Sequence, residues 1–449
     1  MVELISVTQL LLCAAVLALA VWVLRSGRPS LLAFTLAGFV VIDSVGVAIA
    51  PYLPLSDIQY LNGPAFLINE RNPDLYLRQV MAHWVLLTVG TAGLLLEAQY
   101  RRSQTMWVAP SSRQLVMWAG LLIVVGLVAY ARYFLMGPGL EILLGSRLSF
   151  SSTMEAVAHR TEVRYSVETG QGAYLAALAG KVLFPVAAAL LAVGRVRFRG
   201  WIWLMCFVLS AAYAFHTREK SPLLAVFITY AALLLWERVG RLDWRRINFR
   251  AMARILLPTL LLFFLGGTAF YTVNFGLPFD VAMQSIVART LAIPGATETN
   301  FFAVFPEKYD FRGIENIFRI GLLGYGGQDV SIYEVAVAAT GDGFATNASL
   351  LAVSWSGAGY LGVTIIALLL VGSLALIDRV LVRLDYRVFL LSAILSVSAF
   401  IGLTSGSILD YIGWGGLVSP ALLLFLLTWR GLGRRTASPH LHKGNYGAP

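Results

Sequence analysis

The sequence predicts an all-α polytopic membrane protein of about eleven transmembrane helices with a large, partly helical external loop. Three observations predict it. The 449-residue chain is 58% hydrophobic and only 13% charged, with a mean hydropathy of +0.75, a balance that excludes an ordinary soluble domain. Its apolar runs approach or exceed the roughly 20 residues a helix needs to cross a hydrocarbon core about 30 Å thick. Its Lys and Arg residues collect in alternate loops, the bias that orients such spans.

The runs fall at about 4–24, 31–50, 79–98, 114–136, 173–194, 201–215, 222–237, 252–273, 349–376, 386–405 and 409–428. The first lacks a basic leading region and a small-residue cleavage site, so it reads as a retained helix. The sixth and seventh are short for a full crossing, which predicts local bilayer thinning. Cys13 and Cys206 both fall inside spans, and no disulfide is expected. With no clear repeat and no soluble domain, residues 1–449 form one integral membrane domain.

One set of loops holds Arg25 and Arg28, Arg101, Arg102 and Arg113, Arg195 to Arg199, Arg238 to Arg254, Arg379 to Arg387, and the tail 430–449 with Arg430, Arg434, Arg435 and Lys443. Acids are sparse there, at Glu97, Glu237, Asp243, Asp378 and Asp385, whereas the other loops carry more acids than cations. The positive-inside rule puts the first set, and the carboxy terminus, in the cytoplasm and the amino terminus outside. The net charge of +10 is then an orientation signal and no sign of nucleic-acid binding. The external face receives 51–78, 137–172, the 216–221 turn and the large loop 274–348.

The loop 137–172 opens with the turn Gly137-Pro138-Gly139 and carries Glu155, His159, Arg160, Glu162, Arg164 and Glu168 at helical intervals. In the large loop, Asp280 caps a helix running to about Ile293, with Phe279, Ala282, Ile286 and Leu291 on its apolar side and Pro294 ending it. Phe301, Phe302, Phe305, Tyr309, Phe311 and Phe318 follow, which predicts that the loop folds onto the bilayer or the spans. Gly357, Gly359 and Gly362 predict close helix approach.

Charges inside spans are expensive and are functional candidates. Asp43, His83, Arg132, Lys181 and Asp410 all fall in the outer halves of their helices. This one-sidedness fits a polar cavity opening outward better than a pathway through the whole bilayer. The plainer alternative is snorkelling or a structural pair, such as Asp43 with Lys181. A tight basic turn, His216-Thr217-Arg218-Glu219-Lys220-Ser221-Pro222, joins two short spans on the same face as the large loop. Cations beside a folded loop at a bilayer surface suit a lipid with an anionic head group. No motif suggests a haem, an iron–sulfur cluster or a nucleotide, and no His/Cys/Asp spacing suggests zinc. No cofactor and no metal are expected.

The stretches FHTREKSPLLAVFITYAALLL, IVARTLAIP with FFAVFPEKY, and NASLLAVSWSGAGYLGVTIIALLLVG resemble the Wzy-type O-antigen and capsular polysaccharide polymerases and, more distantly, the O-antigen ligases. The likeness covers about residues 150 to 375. It implies a metal-independent glycosyltransferase at the external face of the bacterial inner membrane. Its substrate would be an undecaprenyl-pyrophosphate-linked oligosaccharide, with a chain-length regulator and a flippase as partners. The leaving group would be a lipid pyrophosphate, whose developing charge Arg and Lys stabilise. Arg218 and Lys220 would sit at the head group, with Arg289 completing the clamp and Arg312, Arg319, Arg160, Arg164, Lys181 and Asp43 binding substrate. His216 and Glu298 lead the candidates for a general base on the acceptor hydroxyl, with Glu219, Glu315, Asp329, Asp342 and His159 behind them. Ligation to another acceptor, or a flippase or other transporter, are the competing functions.

Overall fold

The computed structural model describes residues 1–26, 30–52, 72–99, 110–137, 139–144, 172–194, 199–216, 220–239, 261, 264–269, 271–272, 277–291, 293–313, 317, 332–341, 349–382, 386–396 and 417–428. The described residues are helical, with no strand among them. Six helices are long and apolar enough to cross a membrane: α1 (Val2–Arg25), α2 (Leu31–Tyr52), α3 (Pro73–Gln99), α4 (Ser112–Met136), α6 (Ala173–Val193) and α12 (Leu350–Leu381). They coincide with the first five expected runs and the ninth. The rest are α5 (Gly139–Leu144), α7 (Arg199–His216), α8 (Lys220–Val239), α9 (Phe279–Leu291), α10 (Ile293–Val304), α11 (Ile332–Thr340), α13 (Tyr386–Leu395) and α14 (Val418–Thr428). Helices α7 and α8 occupy the two short runs, and their apolar cores span only Gly200–Ala214 and Ala225–Leu234. Helices α13 and α14 cover part of the last two runs; most of the eighth lies outside the described residues.

Local chemistry sets the helix starts. Ser111 and Gln114 form a reciprocal capping box at α4, and the Ser349 hydroxyl accepts from the Ala352 amide at α12, each satisfying donors a helix start leaves open. Helix α3 begins six residues earlier than its hydropathy suggests. Asn72 accepts from the Asp74 and Leu75 amides, both at 3.1 Å, and Pro73 supplies a preset first helical residue.

Helix α3 packs along α1 and α12, and α4 along α6, which also meets α7 and α14. Ala187 to Leu190 of α6 are fully buried, so α6 is interior, whereas Leu4, Leu11, Val128, Leu361 and Leu376 are exposed apolar residues on α1, α4 and α12 that suit a lipid boundary. Cys13 and Cys206 are buried free thiols. Two spans each hold one π-helical turn, Val40–Ser44 in α2 and Ala179–Leu183 in α6. These turns contain Asp43 and Lys181, one intramembrane charge each. Such single turns concentrate at functional sites.

Two polar clusters interrupt the apolar interior. At the start of α2, Asp378 of α12 accepts from the Leu31 and Leu32 amides at 2.6 and 2.9 Å. Ser30 donates to Glu97 of α3 at 2.7 Å, with an Asp378 oxygen 3.1 Å away. Asp378 is thus a cap supplied by another helix. The second cluster lies further along the same helices.

Helix α12 is broken rather than continuous. Ala358 (φ −155, ψ 29) and Gly359 (φ 59, ψ −139) leave helical geometry, a combination that Gly359 tolerates because it lacks a Cβ. The carbonyls freed at Ser356 and Gly357 accept from the Arg312 and Gly313 amides at 3.1 and 2.7 Å. The expected close approach at Gly357 is therefore to backbone and to Ile317, which a Cβ there would meet at 2.5 Å.

Candidate functional site

The segment after Leu277 folds back onto the spans as the aromatic content predicts. Phe301, Phe302 and Phe305 are buried. Phe302 lies 4.8 Å from Trp355 of α12 between ring centroids, and the Trp355 indole N–H donates to the Phe305 carbonyl at 2.9 Å. Tyr309 and Phe311 stay at the rim, 37% and 40% exposed, and Phe318 lies outside the described residues. Helix α9 buries Ala282 and Ile286 as expected but exposes Phe279. Pro294 does not end the helical segment. It occupies the first turn of α10, where its missing N–H is tolerated.

Helix α10 docks by its first turns. A Cβ on Gly295 would lie 2.7 Å from the Val47 backbone nitrogen of α2, so only glycine lets α10 approach this closely. Gln79 of α3 donates to the Gly295 carbonyl at 2.5 Å and accepts from Thr299 at 2.7 Å. These contacts put Glu298 against His83 of α3 and Asp43 of α2. The His83 Nε2 to Glu298 Oε1 distance is 3.4 Å. One ligand-capable atom from each of Asp43, His83 and Glu298 lies within 4.8 Å of the others. All three side chains are fully buried. His83 is fixed from both sides: Nδ1 is 3.0 Å from the Ser44 hydroxyl, and the ring stacks on Phe39 at 5.7 Å. Gln9 of α1 donates to the Ser44 carbonyl at 3.3 Å, bracing the π turn that presents Asp43.

Both oxygens of Asp43, both of Glu298 and Nε2 of His83 lack a hydrogen-bond partner. Burial pushes the Glu298 carboxyl up to about 8, because charge is disfavoured away from water. Ser349 and Gln79 approach and oppose that rise, though neither completes a hydrogen bond to it.

Of the residues singled out from sequence, the fold brings Asp43 and Glu298 together. Asp43 faces Glu298 and His83 and makes no hydrogen bond to Lys181; Lys181 lies on α6, against α4, α7 and α14. Arg312 extends over the Phe305 ring at 5.8 Å, and Arg132 is exposed near the end of α4. His216 closes α7, Lys220 opens α8 and Arg289 lies in α9; their side chains are outside the described residues. Arg218, Arg319, Arg160, Arg164, His159, Glu219, Glu315, Asp329, Asp342 and Asp410 lie outside them altogether. Sequence reasoning missed Gln79, Ser44 and Arg78. Gln79 and His83 are four residues apart, hence on one face of α3, and two polar residues so placed in an apolar helix are a readable signal. Arg78 forms a 2.5 Å ion pair with Glu307, and the neighbouring Lys308 donates to the Ala338 carbonyl.

Compared with known proteins, the chain matches no protein-family model, no curated protein and no solved structure.

Proposed function

We propose that this protein polymerises lipid-pyrophosphate-linked oligosaccharide repeat units at the external face of the bacterial inner membrane. The observation that carries the reading is the cap built by α10 and the turn after it. It is a folded, aromatic-anchored segment on the spans, and it gathers Arg78, Lys308 and Arg312 around residues 305–312. Cations held on a rigid frame beside a lipid surface suit a pyrophosphate, which arginine engages bidentately. Arg218 and Arg289 complete the clamp in this reading. The alternating loop charge puts the 274–348 loop and the amino terminus outside and the tail 430–449 in the cytoplasm.

Deleting the protein and separating its host's glycolipids tests the reading. A ladder collapsing to one repeat unit supports polymerisation, while long chains left on the carrier lipid mean ligation to another acceptor. Arg218→Ala and Arg289→Ala should each lower polymer formation roughly 30- to 1,000-fold at normal abundance, the effect of losing a transition-state contact of about 2–4 kcal/mol. Lysine at either position should recover only part of the rate.

A transporter is the second reading, and two observations favour it. Helix α12 is discontinuous, and buried acids occur at both clusters, at Asp43 and Glu298 and again at Asp378. Broken helices and polar groups at two depths are features of transport pathways. Purified protein that elongates a lipid-linked substrate in detergent, where no compartments exist, excludes transport alone.

A further inference from the structure

We infer that Asp43, His83 and Glu298 form a buried binding site for a divalent transition-metal ion of the zinc or manganese class, which latches α10 onto α2 and α3. The inference rests on the geometry of these three helices and stands whether or not the polymerase reading does.

The first argument is the donor set. Two carboxylates and an imidazole are ligands for first-row divalent ions, and each residue offers an atom within 4.8 Å of the other two. Some point then lies within about 2.8 Å of all three, so side-chain shifts under roughly 1 Å reach the 2.0–2.2 Å of zinc–oxygen and zinc–nitrogen bonds.

The second argument is what the atoms lack. Five polar atoms of three fully buried side chains have no hydrogen-bond partner. Among the described residues no Lys or Arg forms an ion pair with Asp43 or Glu298. Buried charge persists only when paired or bound to a metal, and a dication would neutralise two carboxylates at once.

The third argument is orientation. With the imidazole proton on Nδ1 and donated to Ser44, Nε2 is a bare acceptor 3.4 Å from an acceptor oxygen of Glu298. Two acceptors face each other at that separation when an ion lies between them. A ligating histidine whose other ring nitrogen is held by a neighbour is the usual arrangement. The Phe39 stack and the Gln79 contacts to Gly295 and Thr299 hold the three parent helices in register. The ligands come from residues 43, 83 and 298, which is why no local spacing announces the site. Because the ligands are fully buried, the ion serves architecture and leaves the chemistry at the rim metal-independent.

The test is metal analysis of the full chain, purified in detergent without a polyhistidine tag. It should carry about one equivalent of zinc or manganese. After chelation, adding Zn²⁺ or Mn²⁺ should restore the equivalent and raise the thermal midpoint. Glu298→Gln and Asp43→Asn, which keep shape, should each lose the ion. Ser44→Ala, which keeps all three ligands, should weaken affinity about 10- to 100-fold. Asp378→Asn should leave the stoichiometry unchanged. Wild-type protein that binds neither ion before or after chelation overturns the inference. So does an equivalent of metal that survives in Glu298→Gln and Asp43→Asn.

Discussion

The two polar clusters of this protein use the same kinds of side chain and end differently. At the start of α2, Asp378 is buried, yet its oxygens accept two backbone amides and lie within reach of the Ser30 hydroxyl. Where α10 docks, Asp43 and Glu298 are equally buried and none of their oxygens has a partner. A satisfied buried carboxylate holds a structure together, because removing it strands its donors. An unsatisfied one opposes folding until something neutralises it. The first cluster is a cap; the second waits for a ligand.

The largest expected effect tests whether the second cluster depends on the cap formed by α10. Trp355→Ala removes the aromatic anchor under Phe302 and Phe305 and should lower stability by about 3–5 kcal/mol. Hydrogen exchange should then quicken in 293–304 while the start of α2 keeps its protection. Equal loosening at both sites would mean that the clusters are not independent.

Next, Asp378→Asn should destabilise by roughly 1–3 kcal/mol, since the uncharged side chain holds the Leu31 and Leu32 amides less well. Asp43→Asn in chelated protein should be neutral or stabilising, because it removes a desolvated charge and breaks no hydrogen bond. Thermal unfolding in detergent compares the two. The distinction fails if Asp43→Asn in chelated protein is as damaging as Asp378→Asn.

The smallest effect is on pH. Glu298 titrates near 8 when folded, against an ordinary value of 4.5, so between those values the folded chain holds a proton that the unfolded chain has released. Stability of chelated protein should therefore fall as pH rises from about 5 to 9. Glu298→Gln should flatten that slope. A midpoint that rises over the same range would reverse the assignment.

Much of the frame was legible in the residues. The first five runs and the ninth are helices because continuous apolar length leaves a chain no other way to satisfy its backbone in lipid. The aromatic run at 301–311 announced its burial because exposed phenylalanines are unfavourable. Glu298 and Asp43 were visible as candidates, one as a loop acid and the other as a charge in a span. Their meeting was not legible. It depends on Gly295 fitting against Val47 and on Gln79 reaching α10, contacts over more than two hundred residues that no local pattern encodes. The break in α12 was hidden for a similar reason. Its glycines signal close approach, but the partner is the 312–313 backbone rather than a neighbouring helix.

That break also sets a depth scale. From Tyr360 to Leu381 the unbroken part of α12 rises about 33 Å at 1.5 Å per residue, enough by itself to cross the hydrocarbon. Asp378, near its far end, then marks one boundary, and the Ala358–Gly359 break lies close to the other. Counting along α2 from Ser30 to Asp43, and along α3 from Glu97 to His83, gives a rise of about 20 Å in each case. The Asp43, His83 and Glu298 cluster therefore sits below the opposite boundary, within the hydrocarbon layer. Helix α10, which is no span, must dip into the bilayer and return, a re-entrant segment shielded from lipid by α2, α3 and α12. A nitroxide at Ala303 should relax with oxygen dissolved in the lipid more than with a water-soluble nickel chelate; the reverse would lift α10 out of the membrane.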